Sequence, residues 1–163
     1  MNIDAMNKMA DLLEVIEPEA FDMGFWWASV DSNICGTAGC IAGWAVHVDA
    51  TTKVEAFTWP TNDKEQRVQL LKKYGAPTHY SEGGFPYPSV AAALLELDWT
   101  EASRLFESDS WWHEKLLELG LIEEQDDDFD LHYITSKQAA IVVRALVDGD
   151  IDFHFEDEDR YAS

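Results

Sequence analysis

Apolar side chains return every third or fourth residue at the start of the chain. Ile3, Met6, Met9 or Ala10, Leu13 and Ile16 share one face, with Asp4, Lys8, Asp11 and Glu14 on the other. That spacing predicts an amphipathic helix over 3–16, stopped before Pro18. The pattern changes over residues 38–48, where nearly every position is small or apolar and no charge appears before Asp49. A helix that is apolar all round is buried on most sides, so this stretch is expected to be the central helix, with Gly36 and Thr37 leading into it and capping it. Gly39, Ala42, Gly43 and Ala45 leave its backbone bare. A helical glycine costs up to about 1 kcal/mol relative to alanine, so a neighbour packed close, with Trp26 and Trp27 as candidates, has to offset it.

Further along, β-branched and aromatic residues over 51–59 predict a short strand or extended arm, ended by Pro60. Asp63 caps a helix over 64–74 that carries Val68, Leu70, Leu71 and Tyr74, and Gly75 stops it. Glycine and proline make 78–88 a loop. Residues 89–97 read as a helix, and Thr100 caps a second over 101–106. Another helix over 111–119 closes at Gly120, before an acidic loop over 123–130. Thr135 and Gln138 form a capping box that opens a last helix to about Val147, with Gly149 as its stop. The pattern predicts a mainly α fold. Residues 1–150 form a single compact helical domain around the small-residue helix, with aromatic-rich loops and room for a short strand or hairpin. Residues 151–163 form an acidic C-terminal edge or tail.

Composition supports a folded chain: 163 residues, 47% hydrophobic and 12% aromatic, are enough to bury a core without a metal or disulfide. The first eight residues have neither the basic nor the apolar part of a signal peptide, and no apolar run approaches a membrane span. The expected location is cytoplasmic, and both cysteines are expected to be reduced there. Charge changes the picture most. Thirty-two acidic residues against eleven basic ones give a net charge of −21, which repels nucleic acid unless the cations are concentrated. Lys72 and Lys73 are adjacent, with Lys64 and Arg67 near them, but the helix pair over 89–106 offers only Arg104 to a base edge. Direct nucleic-acid binding is therefore disfavoured. The same arithmetic suits a basic partner or a protein that normally holds nucleic acid, beside the plainer role of acids in keeping a protein soluble.

Three blocks carry a resemblance: residues 35–45 (CGTAGCIAGWA), 95–106 (LELDWTEASRLF) and 139–152 (AAIVVRALVDGDID), together with Phe21, Asp22 and Met23. In that order they resemble a set of small, uncharacterised bacterial and phage-encoded proteins. The resemblance implies a phage or bacterial accessory protein, placed in the host cytoplasm if phage-encoded, and it brings no activity with it. The chain departs from that set by its heavy acidity and its tryptophan-rich insertions.

Two kinds of chemistry compete. A cysteine at the head of a helix is placed to become a nucleophile, so Cys35 or Cys40, with His47, His79 or His132 as base, would make a papain-like thiol hydrolase or transferase. No local signature fixes the histidine, and a free cysteine among small residues is ordinarily packing. Cys40 and His47 share a helical face with Cys35 close by, but the spacing matches no common zinc pattern. Asp126, Asp128 and Asp130 imitate a calcium loop, yet Leu131 stands at the glycine position and Lys137 at the final glutamate position. No metal and no cofactor is expected. The favoured reading is a non-enzymatic interaction or inhibitor protein. Its binding acids are expected in Asp126, Asp127, Asp128 and Asp130 and in Glu156, Asp157, Glu158 and Asp159, because residues 111–163 carry fifteen acids against four basic residues.

Overall fold

Local end signals decide where most of the helices begin and stop. The computed structural model describes residues 1–24, 28–30, 36–38, 40–49, 61–83, 86–123 and 129–155. The first helix, α1 (Ile3–Val15), starts where the Asn2 side chain accepts the Ala5 N–H at 3.1 Å, and it buries Met6, Met9, Ala10 and Leu13. A 3-10 turn, Pro18–Ala20, leads to the buried side chains of Phe21 and Met23. A two-stranded antiparallel hairpin follows, β1 (Ala28–Val30) with β2 (Gly36–Ala38), in register Ala28 to Ala38 and Val30 to Gly36.

The central helix is α2 (Ile41–Asp49). It begins three residues later than the sequence pattern suggests, because Gly36, Thr37 and Ala38 belong to β2 and not to a helical cap. Its first turns are buried as expected: Cys40, Ile41, Ala42, Gly43, Ala45 and Val46 are all inside. Trp44 is half-buried and donates its indole N–H to the Ala20 carbonyl at 2.9 Å, tying α2 to the Pro18–Ala20 turn. The residues named as close neighbours, Trp26 and Trp27, and the strand expected over 51–59 lie outside the described residues.

The next helix, α3 (Lys64–Tyr74), has the predicted ends: Asp63 accepts from Glu65 and Gln66, and Gly75 closes it in the left-handed region at φ 71°. A 3-10 turn, Thr78–Ser81, precedes α4 (Tyr87–Leu95). Residues 86–88 were expected in a loop, but Tyr87 and Pro88 form the first turn of α4. A proline there gives up only an N–H that would be unpaired anyway, and its φ is already helical. α4 buries Tyr87, Val90, Ala91, Ala92 and Leu95 and packs its small residues against α2.

Glu96, at φ 51°, turns the chain into α5 (Trp99–Glu107). Its cap is Asp98 and not Thr100. Asp98 accepts the Glu101 N–H at 2.9 Å, and the Glu101 carboxylate accepts the Asp98 N–H at 2.9 Å, a reciprocal pair that Thr100 has no acidic partner at N3 to form. α6 (Asp109–Glu118) starts at Ser108, which accepts the Trp111 N–H. After a third 3-10 turn, Leu131–Tyr133, the Thr135 and Gln138 capping box opens α7 (Ser136–Asp148), and Gly149 closes it at φ 77°.

These helices make the mainly α, single-core structure the pattern predicts. α1 lies most heavily against α7, and Arg144 of α7 bonds Asp11 at 2.7 Å and Glu14 at 2.8 Å. Residues 151–155 run onto the core: Ile151 is buried, the Phe153 ring stacks on Trp111 with centroids 5.7 Å apart, and Arg104 donates to the Phe153 carbonyl. Residues 156–163 lie outside the described residues.

Candidate functional site

Cys40 stands immediately before α2, where the sequence suggests a nucleophile. The amides of Ala42 and Gly43 do favour its thiolate, as a helix start should. Burial outweighs them. The side chain is 0% exposed, and desolvation of the charged form is the dominant effect, pushing the thiol up to about 12. Tyr87 lies near enough for its hydroxyl to be raised by the thiol's charge, after the larger effect of its own burial. Cys40 is thus sealed in the core and held neutral at neutral pH.

The other residues considered for thiol chemistry are scattered. Cys35 lies outside the described residues, and for His47 only the helical backbone is described. His79 is exposed and tilts over the Tyr80 ring at 4.1 Å. His132 bonds Asp22 through Nδ1 at 2.8 Å, and its backbone N–H donates to Asp130 at 2.9 Å. Gly24 makes that contact possible, since a Cβ there would sit 1.8 Å from the His132 ring. Among the described residues, no group of three or more potential metal ligands is assembled.

The acids tell a more regular story. Every Asp and Glu whose side chain is described is exposed, except Asp22, Glu101 and Glu114, which are half-buried; none is buried. Of the expected binding acids, Asp130 is exposed and caps the Leu131–Tyr133 turn. Asp126, Asp127, Asp128, Glu156, Asp157, Glu158 and Asp159 lie outside the described residues.

The cations are mixed: Lys8, Lys64, Lys72, Lys73 and Lys137 are exposed, whereas Lys115, Arg104 and Arg144 turn toward the protein. Lys115 is 5% exposed, the single buried charged side chain among the described residues. Burial alone would lower its pKa, but Glu114 at 2.9 Å and Glu118 at 3.1 Å accept from its ammonium and raise it overall, so it stays charged. Arg144 is bound to Asp11 and Glu14, and Arg104 to the Phe153 carbonyl. From α4 onward, Lys137 is the one exposed basic side chain among the described residues. Most of the remaining cations lie in α3, as Lys64, Arg67, Lys72 and Lys73.

Sequence reasoning passed over Lys115 and Trp99, although both left signals. Lys115 follows the buried Trp111 by four residues and precedes Leu116, so it occupies an inward position of α6. Trp99 shares a helical stripe with the buried Ala102 and Phe106 at i, i+3 and i+7, yet it is 63% exposed. It sits in the first turn of α5, where side chains lean past the helix start and beyond the core.

No helix among the described residues is long and apolar enough to cross a membrane. No family model, curated protein or solved structure matches the chain.

Proposed function

We propose that this protein is a non-enzymatic interaction module, acting as a phage or bacterial accessory protein, that offers carboxylates to a basic or nucleic-acid-binding host protein. The observation that carries the reading is the sorting of charge. Described acids face outward and are mostly without a cation, while from α4 onward the described cations other than the exposed Lys137 are sealed, clasped or hydrogen-bonded inward. Solubility requires net charge but not this sorting, because a surface of mixed sign serves it as well. Sorting produces a one-signed field that attracts a basic surface and steers its approach.

The test has two steps. Host proteins captured by the native chain are identified, and the captured partner is then titrated at two salt concentrations. It is titrated against native protein and against a variant with Asp126, Asp127, Asp128 and Asp130 changed to Asn. The reading expects affinity to fall steeply with salt, since screening already acts within about 8 Å at physiological ionic strength. It also expects the variant to associate more slowly, with an unchanged melting temperature, and double-stranded DNA to compete if the partner normally holds it. A partner whose affinity ignores both salt and the substitutions overturns the reading.

A further inference from the structure

We propose that residues 151–155 are a displaceable strap over a groove on α5 and α6, and that the groove receives in its place a short segment of another protein, with an apolar residue followed by aromatic residues at the next two alternate positions. The inference goes beyond the charge-based reading and does not depend on it.

The strap itself shows what the groove takes. Ile151 is buried, and Phe153 and Phe155 pack partly against the core, while Asp152 and His154 between them are exposed. Such alternation is how a bound peptide presents every second side chain to its receptor and the rest to solvent. The Phe153 ring lies on Trp111 of α6 with the ring planes 20° apart, and Arg104 of α5 donates to the Phe153 carbonyl. The arginine reads backbone, so it accepts a segment of another sequence equally well, and the apolar contacts select the anchors.

Two observations mark the strap as replaceable. It follows Gly149, where the chain leaves α7 at φ 77°, and residues 151–155 belong to no helix or strand; the His154 N–H turns back to Asp152 within the strap at 2.7 Å. A segment held by side chains and not by a backbone ladder opens at the low end of a protein's range of local stabilities. Beneath Phe153, the Trp111 side chain is 0% exposed, and its Nε1 has no hydrogen-bond partner among the described residues. A sealed N–H without an acceptor is a cost that the strap leaves standing, and an occupant that brings an oxygen to it removes that cost. A second copy of the chain is the poorer occupant, since two molecules of net charge −21 repel each other.

The test uses the whole chain and a peptide with the sequence of residues 149–157 in which asparagine replaces each acid, so that charge does not draw it. A control peptide has alanine for both phenylalanines. Binding is read by fluorescence anisotropy of the labelled peptides at low and at physiological salt. Native protein is expected to bind the first peptide weakly, because its own strap competes. Phe153→Ala, which loosens the strap, should bind it about tenfold more tightly, with little dependence on salt and no affinity for the control.

Equal affinity of native protein and Phe153→Ala overturns the proposal, and so does equal binding of the two peptides. Hydrogen exchange of native protein keeps the test decisive if Phe153→Ala fails to fold. Residues 151–155 should exchange at least about a hundredfold faster than the buried turns of α7, and protection equal to that of α7 shows a strap that does not open. A concentration-dependent dimer of native protein that the peptide dissolves gives the groove to a second copy and overturns the assignment to another protein. Failure of the salt-dependent binding expected of the acids leaves this proposal standing, because the neutral peptide does not use them.

Discussion

The start of α2 and the middle of α6 each bury an ionisable side chain, and they do so by opposite means. Cys40 enters the core by giving up its charge: desolvation keeps the thiol protonated despite the amides at the helix start. Lys115 keeps its charge by bringing Glu114 and Glu118 with it from its own helix. A thiol is small and nearly apolar when neutral, so neutralising it costs little. An ammonium on a long stem has nearby carboxylates to reach, and the same pair satisfies its donors. The contrast explains how so acidic a chain holds a cation in its core while none of its described acids is buried.

The largest expected effect tests the Cys40 half of that contrast. With the thiol moved from an ordinary 9.0 to about 12, alkylation of native protein at pH 8 should be slowed by about a thousandfold relative to unfolded chain, before steric exclusion is counted. Mass spectrometry of labelled protein with and without denaturant reads this at Cys40, and rapid native labelling would contradict the burial. The same shift has a sign in stability. The contribution is complete below the unfolded value of 9.0 and is lost as pH rises from there toward about 12. Denaturant midpoints should therefore decline on the alkaline side more in native protein than in Cys40→Ala.

Packing around that thiol is tested next by Gly43→Leu. The position is buried, and forcing a side chain into it should cost about 3 kcal/mol by overpacking, read as a lower thermal midpoint. An unchanged midpoint would mean that α2 is not closely packed there.

The α6 half predicts an asymmetry. Glu114→Gln with Glu118→Gln strands the ammonium and should destabilise by about 2 kcal/mol, whereas Lys115→Met, which removes the charge and keeps the length, should be near neutral. Urea denaturation of the two variants decides it. Equal losses would show that the lysine stem, not the ion pair, matters there.

The smallest effect belongs to the surface clasp of α1 and α7. Arg144 holds the Glu14 carboxyl below its ordinary 4.5, chiefly through their hydrogen bond. A depressed carboxyl stabilises above its unfolded pKa and loses that contribution as pH falls through the folded value. Arg144→Gln should thus be slightly less stable than native protein at pH 7, with the difference closing as pH falls below the ordinary 4.5 through the lowered folded value, and at high salt. A difference that grows on acidification would reverse the assignment.

Much of the fold was legible because local chemistry names helix ends. Asp63 with Gly75, and Thr135 with Gln138 and Gly149, bracket α3 and α7 in the sequence as they do in space. The start of α2 was misplaced because small residues at 36–38 suit either a helix or a hairpin, and pairing with residues 28–30 is not written locally. Thr100 and Asp98 both make good caps, and only a glutamate three residues after Asp98 separates them. In the candidate site, the exposure of acids followed from their excess over cations. Lys115 and Trp99 escaped notice for one shared reason: each breaks the match between residue type and helix face, a charge turned inward and an indole turned outward.

The clasp between α1 and α7 also governs the order in which the chain acquires its shape. Arg144 meets Glu14 and Asp11 across 130 and 133 residues. A ribosome adding about 5–20 residues each second takes on the order of ten seconds to make that span. Throughout that interval α1, with Met6, Met9, Ala10 and Leu13 on its inner face, lacks the helix against which it packs most heavily. The newborn amino-terminal segment thus carries its apolar face without that cover until α7 emerges, which places the completion of the core at the end of synthesis.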